Sequence, residues 1–442
     1  MSDTSDSRLG RYGLGATDRR ILKLAVPALG ALAVEPLYVL TDTAIVGRLG
    51  TDQLAGLAVA ASVLGIVFGG SNFLTYGATE RVARRIGAGD RAGAADVGVQ
   101  TMWLSVMVGV VAASLLALFA GPICELFGAT GGVLDEATTY LSISAIGIPF
   151  MLITLGTQGV LRGASNYVTP MWVLLASNLG NLVLEITMVY GLDLGVAGSA
   201  WSTVISQVAA GVAFVILVRR QIAPATNRRP AWSGMAPLMT AGRHLLLRVG
   251  SMLVITSGSA AVAARIDAPT LAAHQIGMSL FFFIALSLDA LAIPAQTLVA
   301  EDLGRDDRAG AAHVARRAVL MSVVGGVVLG VATAALAPVL PHVFTNDGPV
   351  LERATSAVLW LALLMVPAAV AFAYDGVLIG AADYRFLGRA AFGYTIAVLP
   401  LAVIVLRWPE VGLAGIWAGV ALWMVLRATV NHLRTRHVLG SN

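Results

Sequence analysis

Charge is what this 442-residue chain has least of: Asp, Glu, Lys and Arg together make up 12% of it. A soluble domain usually carries about 25%, so an ordinary water-facing enzyme is excluded, and with 57% apolar residues so is a disordered chain. Cysteine is nearly absent. The single Cys124 rules out an intramolecular disulfide and a thiolate metal site, and the six histidines are scattered. Lysine is as scarce, since of 29 basic residues all but Lys23 are arginine. A phosphate loop is missing too: GAGD at Gly87 lies in a basic stretch without the Gly-Lys-Ser/Thr pattern, which argues against ATP-driven transport. The charged segment up to Lys23 leads into an apolar run with no small-residue cleavage site followed by soluble chain, and reads as a retained first span.

What is present is apolar length. Mean hydropathy is +0.81, and a helix needs roughly 20 apolar residues to cross a hydrocarbon layer about 30 Å thick. Twelve segments qualify. In the first half they are Ile21–Val46, Leu54–Tyr76, Val97–Ala120, Thr138–Leu161, Val168–Gly191 and Val196–Val218. In the second half they are His244–Ala264, Leu271–Pro294, Val314–Leu336, Thr355–Gly380, Leu387–Leu406 and Val411–Val430. Continuous apolar runs lack the alternation of barrel strands, so the spans are helices. With the N-terminus inside, 25 basic residues fall on the cytoplasmic side, against Arg48, Arg265, Arg353 and Arg407 outside. Both termini are therefore expected in the cytoplasm and the chain in the inner membrane.

The chain also repeats at a spacing of 217 residues. DRAGAA at Asp90 recurs at Asp307, GVLRGASNY at Gly159 pairs with GVLIGAADY at Gly376, and GVAG at Gly195 with GLAG at Gly412. GRLGTDQLAGL at Gly47 falls opposite ARIDAPTLAAH at Ala264. Because six spans is an even number, the two halves share one orientation, as parallel repeats do. The expected organisation is a first lobe over residues 1–218, a polar cytoplasmic linker over 219–242 and a second lobe over 243–442, as an all-α polytopic membrane protein.

Five acids lie inside spans: Glu35, Asp42, Glu185, Asp289 and Asp375, with no Lys or Arg expected at comparable depth. Charges there cost about 2.5–3.5 kcal/mol each on insertion scales and mark ion or substrate pathways. The repeat sets Asp42 opposite Ser259, Glu185 opposite Ala402, Asn72 opposite Asp289 and Gln158 opposite Asp375, so the lobes keep different acids. The expectation is divided labour. Asp42, Glu185, Asn181, Gln158, Thr203 and Glu35 are the candidates for proton or cation coupling, and Asp289, Asp375, Asn72 and Tyr38 for substrate contact or gating. Asn181 and Glu185 are i and i+4, hence on one helix face. Pro36, six residues before Asp42, is a candidate hinge. His274 reads as an ordinary hydrogen-bonded histidine, and the Phe281–Phe283 run as lipid-facing core.

These residues resemble the multidrug and toxic compound extrusion (MATE) family, within it the branch of DNA-damage-inducible protein F. The resemblance covers about the whole chain, through PLYVLTDTAIVGRLG at Pro36, GVLRGASNYVTPM at Gly159, GNLVLEITMVYGLDLGVAGSA at Gly180, SLDALAIPAQ at Ser287 and YDGVLIGA at Tyr374. It implies two six-helix lobes forming a V, no cofactor, and efflux of cationic or amphipathic organic compounds in exchange for H⁺ or Na⁺. The family's first-lobe cation pocket maps onto Asp42, Gln158, Asn181, Glu185 and Thr203. Gln158 stands where Asn is common and Glu185 where Asp is common, and Glu35 is an addition; these departures favour H⁺ over a Na⁺ cage of Asp42, Asn181, Glu185 and Thr203. The expected protein is a monomer in the lipid bilayer that binds small organic cations and no nucleic acid. A lipid-linked oligosaccharide flippase would want basic residues in its cavity, and a prenyl-transfer enzyme clustered acids for Mg²⁺ and diphosphate; neither pattern is visible.

Overall fold

The computed structural model describes residues 15–440; the side chain of Glu35 also lies outside that description. Helices follow one another without a strand among the described residues. They are α1 (Ala16–Val46), α2 (Thr51–Ser71), α3 (Phe73–Gly87), α4 (Arg91–Leu126), α5 (Gly131–Ala145), α6 (Ile148–Gly163), α7 (Val168–Ile186) and α8 (Gly195–Ile222). Then come α9 (Trp232–Ala264), α10 (Ala268–Gly304), α11 (Arg308–Leu336), α12 (Gly348–Gly380), α13 (Tyr384–Arg407) and α14 (Gly412–Leu439). Among the described residues eleven stretches are long and apolar enough to span, α2 and α3 forming one of them, and the pair α5 and α6 makes a twelfth when its 53° bend is read as one broken span. The expected single span Thr138–Leu161 is thus two helices. Pro149, the second residue of α6, has no N–H to continue the ladder from α5, which therefore closes before it.

The chain divides into two compact units, residues 30–246 and residues 1–29 with 247–442. The boundary falls inside α1 and inside α9, not in the expected linker. That linker is shorter than its composition implied, because residues 223–231 alone connect α8 to α9. From Trp232 the chain is already helical, with Met235, Leu238 and Ala241 buried on one stripe. The start of α1 belongs with the second half through its charges. Asp18, fully buried, pairs with Arg317, and Arg20 donates to Glu301 at 2.6 Å.

The duplication is written in the backbone. Left-handed conformations recur 217 residues apart, at Gly89 and Asp306, at Ser165 and Ala382, and at Gly195 and Gly412. Asp90 and Asp307 each accept from the backbone N–H three residues on, Gly93 and Gly310, both at 2.7 Å, and so cap α4 and α11 alike. The amide of Gly93 and then the Arg85 guanidinium hold the Asp90 carboxyl below the usual carboxylate range. Close helix packing repeats as well. A Cβ at Gly159 or Gly163 of α6 would meet the carbonyl oxygen of Thr75 or Thr79 at 2.5 and 2.8 Å. Their counterparts Gly376 and Gly380 of α12 would meet those of Ala292 and Gln296 at 2.2 and 2.4 Å. Small residues spaced by four thus let two backbones touch, which is how helices associate where no hydrophobic force drives them together.

Gly376→Ala should therefore lower the thermal midpoint of the detergent-purified protein, by the about 1–3 kcal/mol typical of overpacking. Gly393→Ala in α13 meets nothing within 4 Å and should leave it unchanged or raised. Differential scanning fluorimetry of the two variants side by side makes the comparison, and equal midpoints would remove the α10–α12 contact as the cause.

Candidate functional site

In the unit of residues 30–246, three helices bring short polar side chains together. Tyr38 and Asp42 stand four apart on α1, Asn181 and Glu185 four apart on α7, and Ser199, Ser202 and Thr203 share one face of α8. Asp42 is buried and accepts from the Ser199 hydroxyl through one carboxylate oxygen and from Tyr140 of α5 at 3.5 Å through the other. Thr203 donates to the Ser199 carbonyl at 3.1 Å, so the contact of 2.7 Å between Tyr38 and Thr203 has the tyrosine as donor. Asn181 donates to Ser202 at 3.5 Å, and Ser202 to the Ser199 carbonyl at 2.7 Å.

Glu185 sits in the middle of this group without a donor. It is 0% exposed, neither carboxyl oxygen accepts a hydrogen bond, and the side chains beside it are Asp42 and Ser199. Two neighbouring acids with only neutral hydroxyls and an amide as the other polar groups of the cluster make a site that a proton or a cation would complete. Past Glu185 the helix widens, the Leu192 N–H bonding back five residues to Thr187 at 2.9 Å, a π-type turn of the kind found at functional sites. Tyr190 in that turn donates to the Ile45 carbonyl at 2.7 Å, fastening it to the end of α1.

The remaining first-lobe candidates sit elsewhere. Gln158 is buried in α6 and accepts from Arg162 at 3.1 Å, one turn further on. Asn72 occupies the joint of α2 and α3, half-buried. Pro36 lies within α1, which continues through it as helix; Glu35, two turns before Asp42, has no described side chain. Conversely, Ser199, Ser202 and Tyr140 were not among the expected residues. Ser199 was within reach, since it lies one turn before Thr203 on the same face.

The other unit treats its acids differently. Asp375 of α12 is paired with both Arg248 of α9 and Arg427 of α14, and Asn431 donates to its second oxygen at 2.6 Å. Arg427 is 1% exposed and lies over the Phe372 and Trp423 rings at 4.8 and 5.5 Å, a stacking that guanidinium tolerates at little desolvation cost. The expectation that no arginine reaches the depth of the acids is thereby corrected. Arg248 and Arg427 fell near the ends of the apolar windows and read as loop charges, but α9 begins twelve residues before His244 and α14 runs nine beyond Val430, so both are inside helices. The same finding removes the argument that basic groups are absent from the spans. Tyr374 bonds His432 Nδ1 at 2.6 Å. Asp289 is half-buried in α10. Ser259, the repeat counterpart of Asp42, bonds Nε2 of the fully buried His274 at 3.0 Å, and the ring packs edge-on against Trp417, in agreement with the hydrogen-bonded histidine expected there. Phe281 is buried, whereas Phe282 and Phe283 are exposed. No cluster of three His, Cys, Asp or Glu side chains that could hold a metal occurs among the described residues.

A bundle of membrane-length helices enclosing buried acids has the architecture of a multi-spanning membrane transporter. The chain belongs to the MATE family: the MatE family model matches residues 27–187 and 247–426. It is 27% identical to Protein DETOXIFICATION 45, chloroplastic, of Arabidopsis thaliana, over 94% of this chain and 78% of that one. It is 26% identical to DNA damage-inducible protein F of Escherichia coli strain K12, over 94% and 91%, and 24% identical to a probable multidrug resistance protein NorM of Thermotoga maritima, over 94% and 91%. Among solved structures, a MATE crystal structure in the bent conformation superposes with a TM-score of 0.90 at 20% identity, over 97% of this chain and 96% of that one, which establishes the shared fold. The relatives support a multidrug efflux transporter.

Replacing Asp375 should be a folding defect before it is a transport defect. Asp375→Asn leaves two guanidinium groups inside α9 and α14 without their counter-charge, and breaking a buried pair costs about 3–5 kcal/mol. The expected result is a larger fall in thermal midpoint, read by differential scanning fluorimetry, than Asp42→Asn produces. A midpoint like that of wild type would show the arginines to be satisfied by other groups.

Proposed function

We propose that this transporter exports cationic or amphipathic organic compounds in exchange for protons, and that the Asp42–Glu185 pair is where the exchange is made. The observation that carries this reading is the buried Glu185 carboxyl with no hydrogen-bond donor and the Asp42 carboxyl beside it. With one proton the pair is a hydrogen-bonded monoanion, attractive to a cation; with two it is neutral and holds none. Proton and substrate thus compete for one negative charge, and antiport needs no further device. Asp42 lies four residues, about 6 Å, from the end of α1, the outer end if the arginine asymmetry sets the N-terminus in the cytoplasm. A proton arriving from outside would neutralise the pair, relax α1 around Pro36 and release the substrate outward; its loss inward would restore affinity. The second unit, with Asp375 tied between three helices, serves as the stiff partner, and Asp289 faces the task of substrate contact. We place the protein as a monomer in the inner membrane with both termini cytoplasmic.

Proteoliposomes free of sodium decide the coupling ion. An imposed pH gradient alone should drive efflux, and Asp42→Asn and Glu185→Gln should each reduce it at least tenfold while keeping wild-type expression and folding. Transport that appears only on adding a Na⁺ gradient would instead assign Asp42, Asn181, Glu185 and Thr203 as a sodium cage.

Topology is checked in intact cells with Cys124 replaced by Ser. A single cysteine at the exposed Ser233 should be protected from an impermeant maleimide, and one at the exposed Asn346 should react. Asn346 is chosen because its neighbour Asp347 caps α12. Equal labelling would overturn the twelve-span, termini-inside arrangement.

A further inference from the structure

About 24 Å along α8 from Ser199, the unit of residues 30–246 carries an apolar groove of about 340 Å³. Val99, Trp103 and Val106 of α4, Ile153 of α6 and Val215 of α8 line it, and Arg228 of the connecting segment closes one side. The segment is held in place by one face of α4. Asp96 accepts from the Thr226 amide, the Thr226 hydroxyl and the Asn227 amide at 2.8, 2.6 and 2.9 Å. One turn on, Gln100 donates to the Arg229 carbonyl and accepts from the Ala231 amide, at 2.9 and 2.8 Å. Another turn on, the Trp103 indole donates to the Arg228 carbonyl at 3.0 Å. Three side chains at i, i+4 and i+7 thus fix where Arg228 stands.

Charge at the mouth has one sign to offer a ligand. Arg219 lies between Val215 and Ile222 on the stripe of α8 that lines the groove, and Arg219, Arg220, Arg228 and Arg229 are all exposed. Arg228 spends one N–H on the Ala223 carbonyl at 3.2 Å, out of five. Asp96, on the face of α4 that holds the segment, is taken up by the donors of Thr226 and Asn227. Arginines above a half-exposed tryptophan, at the end of three spanning helices, mark the level where hydrocarbon gives way to headgroups.

We propose that this groove binds an anionic phospholipid, one acyl chain lying along α4 and α8 and the phosphate on Arg228 and Arg219. An exported cation is repelled by the same arginines, and a neutral lipid gains the apolar contact without the net charge that four arginines favour. The assignment depends on α4, α6 and α8 being membrane helices and not on the coupling ion or the substrate. Native mass spectrometry of the full-length protein, released from detergent with added phosphatidylglycerol or phosphatidylcholine, tests it. One phosphatidylglycerol should survive, preferred at least fivefold over phosphatidylcholine. Arg228→Gln, at an exposed position, should lower that preference about fivefold, and Val215→Trp, which fills the groove, should abolish retention of either lipid. Equal retention of the two lipids by wild type, retention unaltered in both variants, or displacement of the lipid by a transported cation would each overturn the proposal.

Discussion

In a hydrocarbon layer a carboxyl group must find a counter-charge, a set of donors or a proton, and the buried acids of this molecule meet that requirement in different ways. Asp375 finds counter-charges, and in doing so ties α9, α12 and α14 to one point. Asp42 finds hydroxyl donors on α5 and α8. Glu185 finds neither. Its position near Asp42, with neither oxygen bonded, is why the proposal above gives this pair the exchange of proton and substrate.

The duplication explains how two such different solutions coexist on one architecture. What recurs at 217 residues is backbone: the left-handed residues that end helices, the Asp caps of α4 and α11, and the glycine pairs that let α6 lie on α3 and α12 on α10. These features set where helices begin and cross, and a change in one moves everything packed on it. Side chains pointing into each lobe are under no such tie. Asp42 and Ser259 occupy matching places, yet one faces a carboxyl and hydroxyls and the other a buried histidine.

That distinction also accounts for what was legible in the sequence. Span number, repeat, family and the first-lobe residues Asp42, Asn181, Glu185 and Thr203 follow from apolar length, spacing and motif, all of which are local or periodic. Three things did not follow. The broken span α5–α6 depends on a proline whose repeat-related stretch in α12 runs on as one helix through Pro367, so composition alone does not decide it. Arg248 and Arg427 sit at the frayed edges of apolar windows, where an arginine in a loop and one stacked on Phe372 and Trp423 look the same. Tyr140 lies 98 residues from Asp42, and no pattern along the chain links a tyrosine to a carboxylate at that distance.

The contrast between the two units bears on how a proton could do mechanical work. An acid held by two guanidinium groups and an amide cannot be neutralised cheaply, because protonation would strand both cations. The Asp42 group has no such anchor. Its partners are hydroxyls, which donate or accept as needed, and its helix α7 ends in a widened turn fastened to α1 through Tyr190. In the proton-exchange reading proposed above, α1 is the element on which a change at the carboxyl pair acts, since it begins among the ion pairs of Asp18 and Arg20 and carries Asp42 four residues before its other end.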